Sequence, residues 1–206
     1  MTGLEPYVIA GQEGIKAVKD FLSKLLGPAV DEVGLLLEDK VRLYRLKNQI
    51  RILTKAQEML SSAGIKPKTV PLRTLLPLLE GASLEDDVDL SLKWAGLLAS
   101  TASGEGKDNH PAYPHILVQL APVDARIIDR LDSCGGKTSH VKFKAETQHE
   151  LGISEEEYSY SFRNLFRLGL CVSTTRKNTI EEIISLGPFA QHFLKVCHGP
   201  VSSSKG

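Results

Sequence analysis

The chain has 206 residues, of which 42% are hydrophobic and 24% are charged, a composition typical of a globular protein with a substantial core. Its 25 basic and 25 acidic residues give a formal net charge of zero, which excludes a general attraction to nucleic acid or anionic lipid. Its three cysteines form no CxxC pair, which argues against a disulfide framework or a zinc finger.

The first residues of the chain carry no sign of a targeting or membrane-spanning segment. No apolar run approaches the ~18–20 residues that a transmembrane helix needs. Residues 1–11 lack the basic start and apolar stretch of a signal peptide and predict a flexible lead-in. These features predict a cytoplasmic protein.

Two helices are predicted next. Residues 12–26 carry apolar side chains at helical spacing, so we expect a short amphipathic helix that packs onto the following one; binding to a membrane surface is disfavoured, because this helix contains one Phe and no Trp. From Gly27 to Gly64, Gly34 is the one helix breaker after Pro28, and acids precede bases, as the helix dipole favours. This stretch predicts one long helix of roughly 30 residues, about 45 Å in length.

The long helix carries a face rich in basic side chains. Residues 40–73 contain nine Lys or Arg and a single acid, Glu58. Five side chains share this face at helical spacing: Lys40, Tyr44, Lys47, Arg51 and Lys55. Two interpretations stay open, a solvated helix face and a docking strip for an acidic partner or a nucleic-acid backbone.

Two further helices are expected before residue 110. The first begins with Pro71 in its first turn and is a buried leucine-rich helix that Pro77 bends or shortens. The second begins at Ser83, with Asp86 in the position of a capping box. Its core-facing side chains are expected to be Leu84, Val88, Leu92, Ala95 and Leu98, with Trp94 as a core anchor.

After residue 121 the pattern changes. A helix starts at Pro122, residues 133–140 predict a flexible loop, and two more helices follow, the second capped by Ser154 and Glu157. Residues 171–175 and 179–187 predict two short strands around a turn, before a last helix and a frayed tail. Three helices, a two-stranded ribbon and a helix are the order of a winged-helix domain.

A winged helix raises the possibility of DNA binding through its second paired helix. The candidate contacts are Arg163, Asn164, Arg167, Arg176 and Lys177. The same helix begins with three glutamates, and residues 122–206 hold eleven basic and ten acidic residues, which disfavours phosphate binding. A contact to protein, or a structural role, is therefore the preferred interpretation, and DNA binding is the alternative.

The sequence presents no catalytic or metal-binding pattern. It contains no HExxH, GxGxxG, Walker or GxSxG motif, and its six histidines show no ligand spacing. The acids at 85–89 lack the glycine and the distal glutamate of a calcium loop and fit a helix N-terminus. We therefore expect no cofactor, no small-molecule substrate and no enzymatic activity.

Three phrases resemble the Abi-alpha (abortive infection alpha) family. They are GPAVDEVGLLLEDKVRLYRLKNQIRILTKAQ from residue 27, GIKP from residue 64 and PLLEGASLEDD from residue 77, and the resemblance covers roughly residues 25–195. It implies an association with bacterial defence against phage, and it supplies no substrate and no catalytic residues.

The expected fold is mainly α, with an N-terminal helical region built on one long helix and a C-terminal winged-helix-like module with a small β-ribbon. The expected domains are a lead-in (1–11), an all-α domain (12–120), a winged-helix-like domain (121–198) and a disordered tail (199–206). The expected function is a non-enzymatic interaction or effector protein that binds a protein partner or self-associates. The alternative is a nucleic-acid-binding regulator.

Overall fold

The computed structural model describes residues 16, 20, 21, 24, 40–104, 110–175 and 182–200. The helices in these ranges are α1 (Lys40–Ser62), α2 (Leu72–Ser83), α3 (Val88–Ser103), α4 (Tyr113–Leu117), α5 (Pro122–Ser133), α6 (His140–Leu151), α7 (Glu155–Arg167) and α8 (Pro188–Cys197). The strands are β1 (Lys137–Ser139), β2 (Cys171–Thr175) and β3 (Glu182–Leu186). The described chain is thus mainly helical with a small antiparallel sheet, which confirms the predicted class.

The chain divides into two compact units. Unit 1 comprises the residues through His115 together with those from Val196 onward, and unit 2 comprises Ile116–Lys195. The predicted domain ranges, divided at residue 121, stay predictions.

Unit 1 is built on α1, which packs against α3 and α2. Leu53 and Leu60 of α1 are buried. Trp94 on α3 is a core side chain, as predicted. Gly64 ends α1 with a positive φ of 69°, and Ile65 N–H donates to the Leu60 carbonyl at 2.9 Å, as expected for a C-cap glycine.

Much of the N-terminal prediction lies outside the described residues. The predicted long helix is helical over Lys40–Ser62, and the residues from 25 to 39 are not described, so its full length stays a prediction. Within the predicted helix 12–26, the four described residues are helical and Phe21 is buried. The lead-in at 1–11 and the tail from residue 201 are also outside the described ranges.

The predicted start of α3 was wrong. Ser83 ends α2 instead, and its hydroxyl donates to the Glu80 carbonyl at 2.6 Å. The N-cap of α3 is Asp87, whose carboxylate accepts from the Leu90 N–H at 3.0 Å. A carboxylate three residues before an amide caps as well as a serine, so the sequence offered two competing N-caps four residues apart.

The predicted burial of α2 was also partly wrong. Leu75 and Leu78 are buried, but Leu72 and Leu76 are exposed, so the helix is amphipathic. Pro77 lies inside α2, which continues to Ser83 beyond it.

Unit 2 places three helices on a three-stranded antiparallel sheet. The strand order is β1-β3-β2, with Thr138 and Ser173 on either side of Ile184. The prediction of a flexible loop at 133–140 was therefore wrong for Lys137–Ser139. The three-residue polar segment Lys137–Ser139 is too short to be recognised as a strand from its sequence. It forms β1 because the edge of β3 supplies hydrogen-bonding partners.

The remaining elements of unit 2 follow the sequence closely. Ser154 and Glu157 form the predicted capping box at the start of α7, with bonds of 3.1 and 2.8 Å between backbone amides and side chains. Strands β2 and β3 and helix α8 lie where they were predicted. The turn between the strands, which includes Arg176 and Lys177, lies outside the described residues.

Candidate functional site

The basic face of α1 is partly engaged by the segment that joins α2 to α3. Arg51 extends its guanidinium over this segment and donates to the carbonyls of Glu85 (2.8 Å) and Asp86 (3.3 Å) and to the Ser91 hydroxyl (2.7 Å). These three bonds occupy most of the guanidinium N–H donors, which a partner's phosphate or carboxylate would otherwise bind. Arg51 therefore holds the start of α3 against α1.

The other members of the basic face differ in their surroundings. Tyr44 donates to the Asp86 carboxylate at 2.9 Å, and Lys55 forms an exposed ion pair with Glu58 at 3.0 Å. Lys47 is exposed. The side chain of Lys40 lies outside the described residues, although its backbone begins α1.

Two buried or half-buried amides reinforce the same attachment. Asn48 donates to the Ser83 carbonyl at 3.2 Å, and Gln49 donates to the Leu79 carbonyl at 3.1 Å. Desolvation raises the pKa of the nearby Glu85 carboxyl above its ordinary value, which fits a segment pressed against the protein. The acidic connection is thus a fixed part of the surface of unit 1.

Arg51 and Lys47 give a direct test of this reading of the basic face. We expect Arg51→Ala to lower the free energy of unfolding by about 2 kcal/mol, because it removes three charge-assisted bonds that are partly exposed to water. Lys47→Ala, one turn away on the same face, should change it by less than about 0.5 kcal/mol. Urea unfolding measures both, and equal effects of the two substitutions would contradict the structural role of Arg51.

A groove lies between α1 and α3 beside Arg51. Its volume is about 380 Å³, and its lining combines apolar and charged side chains: Arg51, Ile52, Thr54, Lys55, Glu58, Val88, Ser91 and Leu92. Ile52 is buried at the groove, while Val88 and Leu92 are exposed on α3. The arrangement is an apolar depression with a charged rim, the form of a protein-binding pocket.

The sequence interpretation missed this groove because it placed Leu84, Val88 and Leu92 in the core. All three are exposed, which corrects the predicted core face of α3. Val88 and Leu92 do share one side of α3, whereas Leu84 lies before the helix because α3 starts later than predicted, and neither α1 nor α2 covers these side chains.

The alternative DNA contacts on α7 divide into two groups. Arg163 is exposed. Asn164 and Arg167 bind the protein itself: Asn164 donates to the Gln119 carbonyl and the Asp124 carboxylate, each at 2.8 Å, and Arg167 donates to the Gln119 side chain at 3.0 Å. Arg167 and Asn164 are also bonded to each other, at 2.7 Å.

The acidic start of α7 is fixed as well. Glu155 accepts from Lys144 and Gln148 of α6, and Glu156 is exposed. The Lys144 contact holds the pKa of Glu155 below its ordinary value, so this carboxylate stays negative at neutral pH. Negative charge at this helix start opposes a phosphate backbone.

Unit 2 also contains a half-buried polar cluster between the sheet and α7. His140 Nδ1 and a Glu182 carboxylate oxygen are 2.8 Å apart, and the His140 ring stacks on Phe162 with centroids 4.7 Å apart. A hydrogen bond from Ser173, followed by the one from His140, lowers the pKa of Glu182. Burial raises the pKa of the Cys171 thiol to about 12, so this free cysteine is a buried and weakly reactive thiol.

Two features can be excluded for the described part of the chain. Within it, no three His, Cys, Asp or Glu side chains are grouped as a metal ion would require. None of the helices in the described ranges has both the length and the hydropathy of a membrane span.

Fold and surface together define a mainly helical protein of two units, with an apolar groove and a charged rim on unit 1. A model of the family abortive infection alpha matches residues 47–197, and the chain belongs to this family. This membership confirms the resemblance found in the sequence and associates the chain with abortive infection. No curated protein and no solved structure matches the chain.

Proposed function

We propose that this protein is a non-enzymatic component of bacterial anti-phage defence that acts through protein–protein contact at the groove of unit 1. The observation that carries the proposal is the exposure of α3. Its exposed side chains among the described residues are Val88 and Leu92, both aliphatic, and both line the groove. A helix whose most exposed side chains are both aliphatic and lie beside a groove is typical of a surface that a partner covers.

Two finer features of the fold belong to the same proposal. The first is a single long helix that continues α1 toward Pro28, supported by the acid-to-base order of residues 31–55. The second is a winged helix in unit 2, supported by the element order α5-β1-α6-α7-β2-β3 and the sheet order β1-β3-β2. In that arrangement α7 corresponds to the recognition helix.

The proposal is tested by phage plating on cells that carry the gene with its genomic neighbours. Protection is expected from the natural chain and from Leu76→Glu, and loss of protection is expected from Leu92→Glu. Leu76 is a suitable control because it is an exposed leucine on α2 outside the groove. Both proteins should be present at equal levels. No protection by the natural chain, or full protection by Leu92→Glu, contradicts the proposal.

Nucleic-acid binding by the winged helix is the second candidate, and the exposed Tyr160 and Arg163 on α7 favour it. An aromatic ring beside a guanidinium is a common nucleic-acid contact. The fixed acids at the start of α7 and the internal bonds of Asn164 and Arg167 count against it.

We therefore expect no shift of duplex DNA at low salt, where phosphate contacts are strongest. A shift that weakens steeply with salt and disappears in Arg163→Ala would replace our proposal with the second candidate. Lys142→Ala is a matched control, since Lys142 is an exposed base on α6.

A further inference from the structure

A short segment that follows unit 2 in the sequence belongs to unit 1. The chain leaves unit 1 after His115 and returns to it at Val196. Val196 and Cys197 form the end of α8, and a turn follows in which the Gly199 N–H donates to the Val196 carbonyl at 3.2 Å. We call residues 196–200 the strap. Val196, Cys197 and Gly199 are all buried.

The strap crosses α3 at a position where that helix has no side chain. A Cβ atom on Gly96 would lie 1.9 Å from the Cys197 carbonyl oxygen, so the two backbones are in direct contact. One turn further along α3, the Ser100 hydroxyl donates to the Val196 carbonyl at 2.8 Å in a buried bond. Glycine inside a helix is unfavourable relative to alanine, and the close approach of the strap explains its presence at this position.

The strap also contacts α1. A Cβ atom on Gly199 would lie 3.1 Å from the Met59 sulfur and 3.7 Å from the Gly96 Cα. Gly199 has a φ of 87°, a conformation that favours glycine. The strap therefore lies across both helices that line the groove, against Met59 on α1 and Gly96 on α3.

The strap and the groove share one furrow between α1 and α3. Residues four apart lie on one side of a helix. On α3, Leu92 lines the groove, and Gly96 and Ser100 follow it at intervals of four. On α1, Lys55 lines the groove, and Met59 follows it at the same interval. The furrow is thus open at Leu92 and filled by the strap at Gly96 and Ser100.

We propose that the strap is a releasable cover over one end of this furrow. On release, the strap separates from α1 and α3 while both units stay folded, and the open groove is extended to Met59, Gly96 and Ser100. Val196 and Cys197 form the last turn of α8, and helix ends fray before the rest of a helix unfolds. The release regulates the site of the proposed function, and its biological meaning rests on that function.

The three cysteines of the chain report on this release. Cys197 is buried in the strap, Cys171 is buried in unit 2, and Cys134 is exposed. The purified full chain is treated with iodoacetamide without denaturant, and peptide mass spectrometry follows each thiol over time. We expect Cys134 to react first and Cys197 to react at least about tenfold faster than Cys171, because release exposes Cys197 without unfolding unit 2.

Two substitutions in unit 1 separate release of the strap from unfolding of the unit. Ser100→Ala removes a bond to the strap and should speed the labelling of Cys197 roughly fivefold, as expected for one hydrogen bond. The Val196 carbonyl keeps its bond from the Gly199 N–H, so it is not left unsatisfied. Gly64→Ala strains a left-handed residue whose Cβ would meet nothing within 4 Å, and it should leave the Cys197 rate unchanged. Urea unfolding verifies that both variants are folded.

Three results overturn the proposal: labelling of Cys197 at the rate of Cys171, an unchanged Cys197 rate in Ser100→Ala, or an equal acceleration in Gly64→Ala. The labelling requires no phage, so the strap and the defence function fail separately. A chain that releases the strap as expected but gives no protection supports the strap and contradicts the proposed function. A chain that protects while Cys197 reacts only together with Cys171 retains the proposed function and overturns the strap.

Discussion

Replacing Gly96 with alanine is expected to destabilise unit 1 by about 3 kcal/mol or more. A Cβ atom at this position would lie 1.9 Å from the Cys197 carbonyl oxygen and 2.5 Å from its carbon. Both are backbone atoms, so no side-chain rotation relieves the overlap. In an unobstructed helix the same replacement stabilises by about 1 kcal/mol, so the expected sign is the reverse of the helix-propensity effect.

The control for Gly96→Ala is Gly64→Ala. Gly64 has a φ of 69°, but a Cβ there would meet nothing within 4 Å. Its replacement therefore measures the backbone strain of a left-handed residue alone, about 1–2 kcal/mol. Urea unfolding at equal protein concentration ranks the two variants. A neutral or stabilising Gly96→Ala would show that Cys197, the last residue of α8, does not approach α3 as closely as described.

The second large effect is expected from Asp124→Ala in unit 2. Asp124 is buried, with 2% of its surface exposed, and its carboxylate accepts from the Ala121 N–H and the Asn164 side-chain amide, each at 2.8 Å. Its removal deletes a helix cap and leaves a half-buried amide without one of its acceptors. Together these losses should lower the free energy of unfolding by about 3 kcal/mol.

A control variant and a double-mutant cycle test whether the loss of stability comes from the Asp124 carboxylate and its bond to Asn164. Asp132→Ala changes an exposed carboxylate on the same helix and should cost less than about 0.5 kcal/mol. Asn164→Ala should cost less in the Asp124→Ala background than in the natural chain, because the two residues share one bond. Additive effects would show that the Asn164–Asp124 bond contributes nothing to stability, and that α7 is attached to α5 by other contacts.

Two polar residues of α7 make contacts that could not be predicted from the sequence. Asn164 and Arg167 are polar residues at helical spacing, and the sequence offered them as nucleic-acid contacts. The structure assigns their polar atoms to Gln119 and Asp124, 40 to 48 positions earlier in the chain. A partner so distant in sequence leaves no local signal, so the interpretation had no means of finding it.

The sequence predicted correctly those features whose stabilising contacts join residues close together in the chain. The capping box of Ser154 and Glu157, the glycine stop at Gly64 and the strands β2 and β3 are all fixed by neighbours in the chain. The family resemblance depended on short phrases and was likewise available from the sequence.

The sequence by itself determined the mainly helical class, most helix positions and the family. Tertiary structure decided which side of each amphipathic helix is covered. The side of α3 that carries Val88 and Leu92 is apolar by sequence, yet α1 and α2 leave it exposed, and Arg51 on the basic face of α1 is bonded to the protein itself. Hydrophobic spacing specifies that a face needs a neighbour, but packing geometry specifies which neighbour provides the cover.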